Sequence, residues 1–363
     1  MPLPDSRQGQ PSGDNAVVVT YGDYFTAVHD YLTQDNMAQP VQVARLVTGR
    51  SISISDIDHL DAHLIKHGAF YHPAKVDLAL SDGTRPSFLL NVAASPAGRA
   101  RLDAEAFYLD QLYRDYPRHF TPQIYHSGAG QCQAGDRLPI FAAQWLAGFH
   151  EVHRTGAIDG DAQWVVWDAD EGSWYLTQAQ TADFFRQAVC ILTYFFDPHT
   201  LHVIGRWHHA AGDFVVGKQA NGIDVDVRLI TVRSYEPLVQ LDDNEGLSLE
   251  IVLDALVVFF LRTSLWMRLD RLDGVGELVW ADEKMLGPIW EGFVQGLQYM
   301  AEYHSFPSDF AHGVIHYIAS HSQQELFDLG QALVQRLTNS AEAVLISRHL
   351  QSHTTALAAV CQL

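Results

Sequence analysis

Between Ala69 and Ser95 the chain reads AFYHPAKVDLALSDG and then PSFLLNVAAS: apolar and polar residues alternate, an Asp82-Gly83 pair interrupts them, and the alternation resumes. Only a pleated strand has a side-chain period of two, and Asp-Gly supplies the backbone freedom that a tight turn needs. This stretch commits the first part of the chain to antiparallel sheet. The period then changes. GRARLDAEAFYLDQLYRDYP, roughly Gly98 to Tyr116, sets Leu102, Glu105, Leu109 and Leu112 at spacings of three, four and three, which is one stripe of a helix with Glu105 facing inward. Two further strands are expected in TPQIYHSG and LPIFAAQWL, the second ending at Gly148.

Ahead of the sheet, GDYFTAVHDYLTQDN and QPVQVARLVTG carry helical spacing, and SDIDHLDAHLIKHG predicts a third helix from Ser55 to a stop at Gly68. Beyond Gly148 the pattern predicts mostly helix: TADFFRQAVCILTYFF is apolar nearly all round, SLEIVLDALVVFFLRTSLWMRLDRL is a long buried helix, and further helices follow from GPIWEGFVQGLQYMAEYHSF onward. VDVRLITVR reads as a strand. QWVVWDADEGSWYL, residues 163 to 176, reads as a hairpin turning at Asp170 to Gly172, placed between two lobes. The expected division is 1–54 (a disordered leader and a helical extension), 55–147 (sheet with one helix) and 148–363 (mostly helical).

Composition narrows the function classes. In 363 residues, 43 Asp and Glu face 23 Lys and Arg for a net charge of −20, so the basic surface that nucleic acid or an anionic membrane demands is not expected. Cys132, Cys190 and Cys361 are odd in number and far apart, which predicts neither a disulfide framework nor a CxxC metal site. MPLPDSRQGQPSGDN lacks the pattern of a signal peptide, and Leu249 to Met267 contains Glu250, Asp254 and Arg262, so a cytoplasmic protein without a membrane span is expected. Oligomeric state is left open.

The order of strand pair, third strand, helix with an inward Glu, two strands, then a helical lobe resembles the protein kinase-like superfamily, above all its aminoglycoside and choline phosphotransferase branch, from about Ser55 to Gly296. The resemblance implies an α+β, kinase-like two-lobe fold: a small antiparallel sheet with one helix and a larger mostly helical lobe, preceded here by a short helical N-terminal extension. It implies ATP and Mg²⁺ as cofactors where activity is kept, and none otherwise. The third strand of that family supplies a lysine to the phosphates, paired with a helix glutamate. Asn91 stands at the lysine place and Glu105 at the glutamate place. Lys75 on the preceding strand is a substitute cation, with Arg99 and Arg101 as others. The glycine-rich loop would lie in HGAFYHPAKV, which holds only Gly68, and Pro73 removes a donor. AAQWLAG matches an adenine-receiving hinge, with Gln144, Trp145 and Leu146 as connecting residues.

RWHHAAGDFVV, residues 206 to 216, corresponds to the catalytic loop. Asp213 takes the place of the metal-binding asparagine, His208 that of the catalytic aspartate, and Thr231 that of the second metal-binding aspartate, followed by Val232 and Arg233. Asp213 is the one remaining metal ligand. An alternative register uses His209 and Asp213 as a lengthened His-x-Asp loop. A metal site at His208 and His209 is poorly suited to adjacent residues, and the i, i+4 pairs His312/His316 (with His321 nearby) and His63/His67 lack the glutamate of HExxH. No GxSxG, GxxxxGK[ST] or GxGxxG occurs. The expectation is a divergent, catalytically degraded kinase-like protein that binds nucleotide weakly or not at all and acts through protein interaction or regulation. The alternatives are an active atypical ATP-dependent phosphotransferase on a small molecule or protein, and a structural interaction protein.

Overall fold

The computed structural model describes residues 3, 19–68, 70–133, 135–156, 163–168, 171–205, 207–208, 212–240, 246–274 and 276–362. The expected leader falls outside this range, Leu3 apart. The fold is mixed α+β with antiparallel sheets, and the chain forms two compact units, Met1–Ala147 and Gly148–Leu363.

In the first unit, helix α1 (Tyr21–Thr48) opens with a capping box between Thr20 and Asp23 and ends at Gly49, whose φ is 66°. It leaves helical geometry from Gln34 to Met37, so its two halves correspond to the two expected helical stretches. Pro40 lies in the first turn of the second half, where its missing N–H costs nothing.

The expected helix from Ser55 to Gly68 is not formed. A single 3₁₀ turn, Ile54–Asp56, gives way to strand β1 (Ile57–Leu64). Ile57, Leu60 and Leu64 have helical spacings of three and four, but a register shift between Ile57 and His59 lets a strand bring Ile57, Leu60, Ala62 and Leu64 onto the core. A bulge imitates the helical period.

Strands β2 (His72–Leu80) and β3 (Ser87–Val92) form the pair expected around Asp82 and Gly83. Helix α2 (Pro96–Asp115), N-capped by Ser95, precedes β4 (Ile124–Gln131) and β5 (Arg137–Gln144). The sheet order is β1-β2-β3-β5-β4. Ala74, Val76, Leu78, Phe88, Leu90, Val92, Ile140 and Ala142 share a core with Tyr24, Ala27, Val28 and Tyr31 of α1. Gly130 permits that contact, because a Cβ there would lie 1.8 Å from the Ala27 carbonyl oxygen. Lys75, Asp77, Leu89 and Asn91 alternate with the core residues and occupy the other face.

The second unit is less helical at its start than expected. Strands β6 (Phe149–Thr155), β7 (Gln163–Trp167) and β8 (Trp174–Tyr175) precede helix α3 (Gln178–Tyr194). Then come β9 (His202–Gly205), β10 (Phe214–Lys218), β11 (Val225–Leu229) and β12 (Ser234–Pro237). A five-stranded sheet has the order β11-β10-β6-β7-β8, and β9 pairs with β12. The tryptophan-rich hairpin is thus the edge of a sheet; Asp170 of its expected turn lies outside the described residues. β6 was hidden because FHEVHRT puts charged and imidazole groups among its few apolar ones.

Helix α4 (Leu249–Met267) stops five residues short of the predicted end, since Leu269–Arg271 forms strand β13 paired with β14 (Leu278–Trp280). Helices α5 (Leu286–Tyr303), α6 (Phe310–Ala319), α7 (Gln323–Gln335) and α8 (Ser340–Cys361) complete the chain. No helix among the described residues is long and apolar enough to cross a membrane. Cys132, Cys190 and Cys361 are buried free thiols.

Candidate functional site

The polar face of the first unit carries the residues expected to serve a nucleotide. Ser95 caps α2 and sets its stripe inward, so Leu102, Glu105, Leu109 and Leu112 are all buried, Glu105 to 4% exposure. A carboxylate this deep needs hydrogen bonds to offset lost hydration. Tyr71 Oη donates one to Glu105 Oε2 at 2.8 Å, and the Tyr71 ring rests edge-on against Phe141 of β5.

Lys75 does not take up the pairing with Glu105 expected of it. Its ammonium lies 3.0 Å from Asp77 Oδ1, two residues along the same face of β2, and 5.6 Å from the centre of the Trp145 ring. A cation two residues from a carboxylate on one strand face meets it without bending the backbone, whereas Glu105 is reached by the Tyr71 phenol. Arg101 lies over the Phe70 ring at 4.4 Å. Asn91 is half-buried, opposite Pro73 on one side and Phe141 on the other. Gln144 ends β5; its N–H donates to the Gln123 carbonyl at 2.8 Å and its Oε1 accepts from the Gln123 N–H at 3.4 Å. Leu146, half-buried, follows it. The structure therefore gathers Tyr71 with Glu105 and Lys75 with Asp77 and Trp145 as separate groups.

In the second unit, described contacts around the stretch expected to act as a catalytic loop gather on Asp213. Asp213 directly precedes β10, is 0% exposed, and anchors β11 by accepting from the Ile230 N–H at 2.8 Å. Its carboxylate is gripped by the guanidinium of Arg233: one Nη donates to Oδ1 at 2.5 Å and the other to Oδ2. The His208 N–H donates to Oδ2 at 2.7 Å. This planar two-toothed fork is the strongest arrangement that an arginine and a carboxylate adopt.

Both carboxylate oxygens of Asp213, the residue expected to hold a metal, thus accept from the guanidinium of Arg233. His208 contributes its backbone N–H to this grip. Thr231 follows β11 in the same loop as Arg233 and is half-buried. His209 lies outside the described residues. The sequence pattern placed Asp213 but passed over Arg233, named only as the last residue of a triplet. Arg228 on β11 pairs instead with its neighbour Asp226 at 2.7 Å.

Behind Asp213 the polar groups continue. Gly212, with φ of 72°, is packed so that a Cβ would come within 2.5 Å of Glu151 Oε1. His153 Nε2 lies 3.4 Å from Glu151 Oε2, and its ring lies 4.1 Å from that of Trp167. Asp270 of β13 is fully buried; burial pushes its carboxyl up to about 7, opposed by the Arg271 N–H and the nearby His153 and Arg154.

A serine–histidine contact that sequence motifs did not reveal lies deeper, Ser264 Oγ to His353 Nε2 at 3.0 Å. It is not a nucleophile pair. Arg268, which can only donate, reaches His353 Nδ1 at 3.1 Å, so Nε2 carries the proton and donates to Ser264. The serine hydroxyl donates onward to the Leu261 carbonyl at 2.9 Å. Histidine in that tautomer has no lone pair to take the serine proton.

Among the described residues no three His, Cys, Asp or Glu side chains converge as a metal-binding group. No family model matches the sequence, and no curated protein matches it either.

Proposed function

We propose that this chain is a kinase-like protein in which phosphoryl transfer has been lost and whose role is binding a protein partner, with nucleotide bound weakly or not at all. The carrying observation is the Asp213–Arg233 fork. In kinase-like proteins the asparagine ahead of the short strand and the aspartate after the next strand hold magnesium between them. Asp213 stands directly before β10 and Thr231 shortly after β11, the places those two ligands would have. Arg233, from the second of these segments, bonds the carboxylate on the first. A resident guanidinium joins them in place of a divalent ion.

Support comes also from the first unit. Lys75 is engaged with Asp77, and Glu105 is bonded by the Tyr71 phenol. Mg²⁺ is held by carboxylates together with phosphates and gives up its waters reluctantly, so it competes poorly for an acid already forked by arginine. With lysine, glycine loop and second metal aspartate all replaced, the positioning and charge stabilisation on which phosphoryl transfer depends are removed together. A partner surface is favoured by the edge of the second unit's sheet, where Trp167 is 42% and Tyr175 48% exposed, because aromatic residues dominate interface energetics.

Thermal unfolding with a non-hydrolysable ATP analogue, with and without Mg²⁺, tests the reading alongside an ATP turnover assay. No metal-dependent shift and no turnover are expected. A metal-dependent shift together with turnover that Asp213→Ala abolishes would overturn it.

A further inference from the structure

The hairpin joining β1 to β2 stands where the kinase resemblance puts a phosphate-cradling loop, yet its chemistry points to a different ligand. Past Leu64 the strands stay joined through the Ile65 N–H and the Pro73 carbonyl at 2.9 Å, and the turn closes through the Gly68 N–H and the Tyr71 carbonyl at 3.0 Å. This brings His67 and His72 face to edge, ring centres 5.2 Å apart, with Nδ1 of one 3.2 Å from Nδ1 of the other. The strand at β1 makes this encounter: on the expected helix His67 would have paired with His63.

We propose that the Nδ1 atoms of His67 and His72 form a two-imidazole site for a borderline transition-metal ion such as Zn²⁺ or Cu²⁺. Two nitrogens each about 2.0–2.1 Å from one tetrahedral ion stand roughly 3.3–3.4 Å apart, close to the separation seen. Imidazole nitrogen selects zinc, copper and nickel over magnesium and calcium. The remaining positions of the ion belong to water or to an external donor.

The surroundings orient the rings. His67 Nε2 lies 3.0 Å from Tyr21 Oη, a second partner of the kind that fixes the tautomer of a metal-bound histidine. His72 is held from the other side by Tyr24, whose hydroxyl donates to the His72 carbonyl at 2.8 Å and whose ring lies edge-on to the imidazole. Without metal, one Nδ1 donates its proton to the other. Metal binding needs both lone pairs, so that proton moves to Nε2 of its own ring, which in His67 faces the Tyr21 oxygen. Neutral rings stay neutral, and the ion is bound by two nitrogen lone pairs with no change of oxidation state.

The chain has 19 histidines, and other described pairs compete: His199 and His304, ring centres 5.0 Å apart, and the more exposed His312 and His316 on α6, their rings parallel with centres 6.3 Å apart. Calorimetric titration of the full chain with ZnCl₂ is therefore run on wild type, His67→Ala and His312→Ala, with folding checked by circular dichroism. A 1:1 site weakened at least tenfold by His67→Ala and unchanged by His312→Ala is expected. Tyr21→Phe, which keeps the ring and removes the hydroxyl, is expected to weaken it several-fold. Copper(II) added to wild type should give an electron paramagnetic resonance spectrum with coupling to two imidazole nitrogens. Zinc binding indifferent to His67→Ala, or lost in His312→Ala, would overturn the proposal, as would a copper spectrum without paired nitrogen coupling. These arms involve no nucleotide, so they stand apart from the test of phosphoryl transfer.

Discussion

Two buried carboxylates, one in each unit, have been satisfied in different ways. Glu105, 4% exposed on α2, takes a hydrogen bond from a neutral phenol, Tyr71. Asp213, 0% exposed before β10, takes a charge-assisted fork from Arg233 and a backbone N–H. The difference is one of replaceability. A phenol supplies a modest net bond, whereas removing the cation of a buried pair leaves a charge that the interior cannot solvate. Loss of the partner is therefore expected to cost more at Asp213 than at Glu105.

The largest break in this comparison is Arg233→Ala, expected to lower stability by about 3–5 kcal/mol because Asp213 is left charged and buried. Asp213→Asn introduced on top should recover a good part of that loss, and urea unfolding of wild type, both single variants and the double variant reads the coupling. Equal, additive losses would show that the fork is not the unit that matters.

Next in size is a pH effect from a third buried acid, Asp270. Its carboxyl is raised to about 7 by burial, so the folded state keeps a proton that the unfolded chain loses near 4. Between those values the folded state binds more protons, and stability falls as pH rises from about 4 to about 7, by on the order of a few kcal/mol. Asp270→Asn should flatten this slope and leave the variant more stable than wild type above pH 7. A slope unchanged in the variant would assign it elsewhere.

Tyr71→Phe comes third, with a loss of about 1–3 kcal/mol for the charge-assisted hydrogen bond removed from Glu105. It should cost less than Arg233→Ala. The smallest effect belongs to Lys75→Ala, whose half-exposed pair with Asp77 is expected to contribute no more than about 1 kcal/mol. If Lys75→Ala proved as damaging as Tyr71→Phe, the separation of Lys75 from Glu105 would be in question.

Glu105 was legible in the sequence because helix α2 obeys its period: three residues, four, three, with a serine cap to start it. The β2–β3 pair was legible for the same reason at period two. β1 was not, since a bulge in a strand and a turn of helix both bring Ile57, Leu60 and Leu64 to one side. β6 is not legible because its polar residues Glu151 and His153 break the apolar alternation, and His153 is covered by Trp167 of the neighbouring strand. Asp213 could be placed by its position before an apolar strand, but its partner could not, for nothing local ties an arginine twenty residues onward to an aspartate. The His67–His72 contact is not legible either, because it depends on β1 being a strand.

The proposed loss of phosphoryl transfer rests on the guanidinium of Arg233 that holds Asp213. Electron paramagnetic resonance of Mn²⁺, titrated with a non-hydrolysable ATP analogue into protein carrying His67→Ala to remove the imidazole pair, measures this directly. No protein-bound manganese is predicted with Arg233 in place. Bound manganese that disappears in the further variant Asp213→Asn would contradict the account.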